Sequence, residues 1–246
     1  MNKKNLMLDR RQALGLGAGM FGAAALATLA GCSDGPSEPA SNGGSDAAQT
    51  SSTDIDKDAF DKLVATVEPA DAATIEANAW AKAIKEAGTF RLGATRTSVL
   101  FSQLDETTGK VYGFDAAIYL SLVRYILGDE TKYDYTQMTS DTRESVLQND
   151  NVDAVFATYS INEKRKEVIS FAGPYFTTQQ GILVAADNQD INGLDDLKGK
   201  KVAVTTNSEF SDLVKKFNET ADTPIEIVYT DKGPSETMNL VATGRA

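Results

Sequence analysis

Two arginines sit where helix electrostatics disfavours a cation. In "ATYSINEKRKEVISFAGPYF" (157–176) a short helix is expected to start after Asn162, which puts Arg165 in its first turn. In "TSDTRESVLQN" (139–149) Asp141 and Glu144 have the spacing of a capping box, which puts Arg143 inside another first turn. The first turn carries the positive end of the helix dipole and free backbone N–H groups, so a cation there is repelled unless an anion joins it. A carboxylate would suit both partners, accepting from a planar two-pronged guanidinium and from backbone donors. Both arginines follow expected strands, and in open α/β sheets ligands gather at the carboxyl ends of strands.

Thr158 and Ser160 add hydroxyls and backbone N–H groups beside Arg165. A further strand end, "TRTSVLFS" (95–102), supplies Arg96, Thr97 and Ser98, with Phe101 and Tyr112 nearby as core or cleft wall. Two arginines at unfavourable helix starts suggest two anionic groups on one ligand. The same residues also read as solvated arginines, Arg165 belonging to a basic run from Lys164 to Lys166, and the local sequence leaves both readings open.

Much other chemistry is excluded. The 246 residues contain no histidine and one cysteine, which removes the commonest general base and metal ligand, any internal disulfide and any paired-cysteine metal motif. No cofactor and no metal site are expected. A net charge of -11 argues against nucleic acid or anionic lipid as a partner through bulk electrostatics, so a bound anion needs a local site.

The N-terminus reads as an address. "MNKKNLMLDRRQ" (1–12) is followed by a weakly apolar, glycine-rich run, the pattern of an export signal over residues 1–31. Arg10-Arg11 resembles a twin-arginine signal, with the general export route left open. The run ends in "LAGC", which resembles a bacterial lipobox and makes Cys32 the lipid attachment point. "SDGPSEPASNGGSDAAQTSSTD" (33–54) has almost no large apolar side chain and is expected to be a flexible tether.

Residues 55–89 read as a helical segment with a break near Pro69, Phe60, Leu63, Val64 and Val67 marking one face. A strand at 90–95 follows. Next come a turn at Gly109, a helix over 115–128 with Ile118, Leu122 and Ile126 as its apolar face, a strand at 132–138, a helix at 142–149 and a buried strand at 152–158. Strands are also expected at 181–186, 200–205 and 225–230, the last two each followed by a helix. Alternating units of this kind define an α/β chain with a mainly parallel sheet.

"GFDAAIYLSLVRYILG", "TSDTRESVLQNDNVDAVFATYSINEKRKEVISFAGPYF" and "LDDLKGKKVAVTTNSEF" together resemble a solute-binding protein of a polar amino acid ABC importer, solute-binding protein family 3, nearest in pattern to glutamate-binding lipoproteins. The resemblance implies a type II periplasmic-binding-protein fold, with lobe 1 over 90–184, lobe 2 over 185–246 and ligand in the cleft. It implies that Thr158, Ser160 and Arg165 hold an α-carboxylate and that Arg143 with Ser140 meets a side-chain carboxylate, Arg96 or Thr97 assisting. Ser208 and Glu209 stand in the lobe 2 turn where the family usually has small hydroxyl residues; a carboxylate at Glu209 would repel an acidic ligand or accept its ammonium. Family members run on from a pair like Gly244-Arg245 into a further strand and an ammonium-binding Asp, so the chain is expected to be a fragment with an incomplete second lobe.

The expected function is capture of glutamate, or aspartate or glutamine, for delivery to a membrane permease, by a monomer held to the membrane through its N-terminal lipid and binding no nucleic acid. It is not expected to be an enzyme. A ligand-binding sensor module and a dehydratase-like enzyme on the same fold are the alternatives.

Overall fold

The computed structural model describes residues 54–246. The export signal, Cys32 and nearly all of the tether therefore lie outside the described residues. Three short helices come first: α1 (Lys57–Ala65), α2 (Ala72–Glu76) and α3 (Ala79–Ala87). Each opens on an acidic or amide cap, Asp56, Asp71 and Asn78 accepting from the backbone N–H three residues on. The Asn78 cap divides what the sequence suggested as one helix after Pro69. Phe60 and Val64 turn inward, whereas Leu63 is 58% exposed and does not belong to the buried face.

Strand β1 (Phe90–Ala94) is the centre of a parallel sheet, flanked by β5 (Tyr133–Gln137) and β6 (Ala154–Phe156). Phe90, Leu92 and Ala94 on β1 are fully buried, as a central strand covered on both faces requires. Between β1 and the next helix lies a small antiparallel ribbon, β2 (Thr97–Ser98), β3 (Ser102–Leu104) and β4 (Val111–Tyr112). The sequence signalled only its Gly109 turn.

Helix α4 (Phe114–Leu127) buries Ala116, Tyr119, Val123 and the expected Ile126, with the expected Ile118 and Leu122 half-buried against the same core. The large ring of Tyr119 sets this orientation, meeting Phe156 and Tyr133 edge-on at centroid distances of 5.8 and 6.2 Å. Helices α5 (Arg143–Gln148) and α6 (Glu163–Lys166) follow β5 and β6.

The strand expected at 181–186 is absent. Ile182 and Leu183 are exposed, and no neighbouring strand among the described residues offers that backbone a ladder, which an apolar run cannot replace. A 3-10 turn at Leu194–Leu197 leads into a second α/β unit: β7 (Lys201–Thr205), α7 (Glu209–Asn218), β8 (Glu226–Thr230) and α8 (Pro234–Ala242). Its two strands pair in parallel around a separate, smaller core of Leu197, Val204, Val214 and Ile225. Among the described residues no helix is long and apolar enough to cross a membrane.

Gly113, immediately before α4, has φ 125°, and a Cβ there would lie 2.5 Å from the carbonyl carbon and oxygen of Phe101. Backbone atoms cannot swing aside. Gly113→Ala is therefore expected to cost about 3 kcal/mol of unfolding free energy, read by urea denaturation; a change within ~0.5 kcal/mol would show that the ribbon yields freely.

Candidate functional site

The carboxyl ends of β1, β5 and β6 face the second unit across a cavity of about 490 Å³. Arg143 is the first residue of α5, and Arg165 lies in the first turn of α6, where the Asn162 side chain caps the helix by accepting from the Arg165 backbone N–H at 2.9 Å. Both arginines are almost fully buried, at 6% and 7% exposure. The capping box expected from Asp141 and Glu144 does not form. Thr142 precedes the helix, Asp141 accepts instead from the Asn207 amide, and Glu144 accepts from the Tyr159 hydroxyl.

The two guanidinium groups converge. Nη2 of Arg143 and Nη2 of Arg165 both donate to the backbone carbonyl of Asn207, at 2.8 and 3.0 Å. Nη1 of Arg165 donates to the Ser160 carbonyl at 2.8 Å. Both guanidinium carbons also lie over the Tyr159 ring, 3.6 Å from its centroid for Arg143 and 4.2 Å for Arg165. The Nε of Arg143 is buried without a hydrogen-bond partner. Burial, reinforced by the Arg165 charge, pushes the Arg143 pKa down to about 10.

Asn207 belongs to the second unit, in a left-handed turn (φ 53°) between β7 and α7. Next to it the Ser208 hydroxyl caps α7 by accepting from Ser211 N–H at 3.1 Å. The Glu209 carboxylate points inward, accepting from the Asn162 amide at 2.9 Å and lying 3.6 Å from Nη1 of Arg165. A second bridge joins the units where the Ser235 hydroxyl donates to the Thr97 carbonyl. That approach needs Gly233, whose φ is 86° and where a Cβ would stand 2.7 Å from the Thr97 hydroxyl.

Of the residues named from the sequence, Thr97, Ser98, Ser140, Arg143, Thr158, Ser160, Arg165, Ser208 and Glu209 line the cavity, whereas Arg96 does not, Tyr112 is buried in the core and Phe101 packs on Phe114 and Phe176. Arg96 instead stacks on the Tyr135 ring at 3.9 Å with its Nε buried. Asp231 and Lys232 line the second-unit side and were not anticipated. Nor were Tyr159, although it stands between two residues that were singled out, and Asp115. The fully buried Asp115 accepts from Thr158 N–H and from the Tyr175 hydroxyl, both at 3.1 Å, and so holds Thr158 in a left-handed conformation (φ 45°) facing the cavity. Among the described residues no acidic or cysteine cluster could hold a metal ion.

Two parallel α/β units closing on a polar cleft form the type II periplasmic-binding-protein fold. The chain belongs to the bacterial extracellular solute-binding proteins, family 3, which it matches over residues 90–232. It is 38% identical over 128 residues to the glutamine-binding protein of Geobacillus stearothermophilus, covering 52% of this chain and 48% of that one. With the L-glutamate/L-aspartate-binding protein of Pseudomonas aeruginosa it shares 30% identity over 188 residues, 75% of this chain and 62% of the other. Among solved structures it resembles an ancestral amino acid-binding protein described as a precursor of cyclohexadienyl dehydratase, with a TM-score of 0.60 and 30% identity over 68% of this chain and 71% of that one. The chain spans about half the length of the glutamine-binding relative.

Asp115 gives the site a pH signature. Burial raises its pKa above the ordinary 3.8, so the folded state holds this proton more tightly than the unfolded state does. Its contribution is then fully present below about pH 3.8 and is lost as pH rises through the raised value. The stability of the wild type relative to Asp115→Asn should fall over that window in urea titrations at stepped pH; a difference that rises with pH would show a carboxylate stabilised by its hydrogen bonds instead.

Proposed function

We propose that this chain is the ligand-capturing part of an extracytoplasmic solute-binding protein that takes a polar amino acid, glutamate first and aspartate or glutamine next, and delivers it to the permease of an ABC importer. The observation that carries this reading is the pair of buried guanidinium groups turned toward one oxygen acceptor, one of them with an unpartnered Nε. A carboxylate offers each group two charged acceptors where the Asn207 carbonyl offers one neutral atom, and charge-assisted bonds are roughly twice as strong as neutral ones.

The cavity lining supports a ligand with one net negative charge. Its charged side chains are Arg143, Arg165 and Lys232 against Glu209 and Asp231, an excess of one cation. In this reading Arg165, with Thr158 and Ser160, holds the α-carboxylate, and Arg143 with Ser140 meets the side-chain carboxylate. Glu209 or Asp231 accepts the ammonium. Residues 90–184 and 185–246 act as the two lobes, and closure is driven by contacts that only the closed state makes. Export, acylation of Cys32, a monomeric state and attachment through that lipid to the extracytoplasmic face of the cell membrane complete the proposal.

Isothermal titration with L-glutamate and L-glutamine tests the assignment. Arg165→Ala should remove a charged contact common to both ligands, a loss of about 2–5 kcal/mol, or roughly 30-fold to several-thousand-fold in each affinity. Arg143→Ala should weaken L-glutamate at least tenfold more than L-glutamine. Equal losses for the two ligands would mean that Arg143 does not read the side-chain charge.

A further inference from the structure

A guanidinium donates only from its edges, within its own plane, while its two faces are free to stack. This separates two tasks in the site. Ligand carboxylates compete for the edges, so whatever holds the arginines without occupying those donors must use the faces. The Tyr159 ring is placed to do so for both, with guanidinium carbons 3.6 and 4.2 Å from its centroid.

The ring stands where a carboxylate would otherwise be needed. No carboxylate lies within ion-pair distance of Arg143 among the described residues, whereas Arg165 has Glu209 at 3.6 Å. A ring quadrupole attracts a cation without ionising and without satisfying its N–H groups. Tyr159 is itself fixed at several points. Its hydroxyl donates to Glu144, the residue after Arg143 on α5, and its ring meets Phe171 at 5.5 Å. On one side, Thr158 is pinned by Asp115, and on the other the Ser160 carbonyl accepts from Arg165.

We propose that Tyr159 is a positioning residue that sets the selectivity of the site, holding the two guanidinium groups by their faces at a fixed spacing so that their edges accept two carboxylates of one ligand. The proposal rests on the amino acid reading above and concerns which amino acid is preferred. Losing the ring would let two buried like charges separate, and a ligand spanning both arginines would suffer more than one that needs Arg165 alone.

Full-length Tyr159→Leu, Tyr159→Met and Tyr159→Phe test this by titration with L-glutamate and L-glutamine. Without the ring, in Leu and Met, L-glutamate affinity should fall about 10- to 100-fold, with a clearly smaller loss for L-glutamine. The Phe variant keeps the ring and should stay within about threefold of the wild type for both. Met retains volume and flexibility without a π face, so it serves where Leu does not fold. If Phe loses as much as Met, the hydroxyl contact to Glu144 is the cause and the proposal falls. Unchanged selectivity in Met overturns it too. A second readout is the ¹⁵N–¹H spectrum of the arginine Nε groups. Ring-current shifts on two arginine signals should persist in Phe and vanish in Met. Should the wild type bind neither amino acid, the transport reading fails, and this spectrum alone decides whether Tyr159 holds the pair: shifts retained in Met would refute it.

Discussion

Two buried guanidinium groups sharing one backbone carbonyl are the constraint around which the cleft is organised. Like charges a few ångströms apart repel by about 4 kcal/mol at the effective dielectric typical of a protein, and burial at 6% and 7% exposure removes most of the water that would screen them. The structure offsets this repulsion with partial charges. The Asn207 carbonyl takes one Nη2 from each arginine, the Ser160 carbonyl takes an Nη1, and Glu209 stands 3.6 Å from Arg165. Donor capacity remains unused, most plainly at Arg143 Nε.

The fold delivers those charges by ordinary means. A central strand buried on both faces fixes β5 and β6, and the chain leaving each of them runs into a helix start that carries an arginine. One partner comes from the other unit, because the Asn207 turn and the caps of α7 lie at the carboxyl end of β7. The arginines thus join the two units as well as facing the cavity. Where a ligand carboxylate takes the place of the Asn207 carbonyl, binding and the relative position of the units are coupled through the same atoms.

Arg143 and Arg165 were legible in the sequence because helix-start electrostatics is a local rule, needing only a strand, a break and a helix in order. The same holds for Thr158 and Ser160, which lie within a few residues of the Arg165 start, whereas Ser208 was named only through the family resemblance. Arg96 was proposed from its place at a strand end, yet the Tyr135 ring, brought from β5, draws it out of the cavity. Tyr159 and Asp115 were hidden for the same reason, since their roles depend on partners brought from elsewhere in the fold. The aliphatic spacing of α4 found residues that pack on the core but missed Tyr119 among them, and the run at 181–186 has strand composition without a strand beside it.

The central claim is that the Asn207 carbonyl accepts from guanidinium donors that the two carboxylates of one ligand would take. A crystal structure of the full-length chain grown with L-glutamate tests it most directly. The account predicts the ligand's α-carboxylate within hydrogen-bond distance of Arg165 and its side-chain carboxylate within hydrogen-bond distance of Arg143, with the Asn207 carbonyl displaced from the 2.8 and 3.0 Å contacts it makes here. Glutamate bound elsewhere in the cleft with both arginine contacts to Asn207 intact would contradict it.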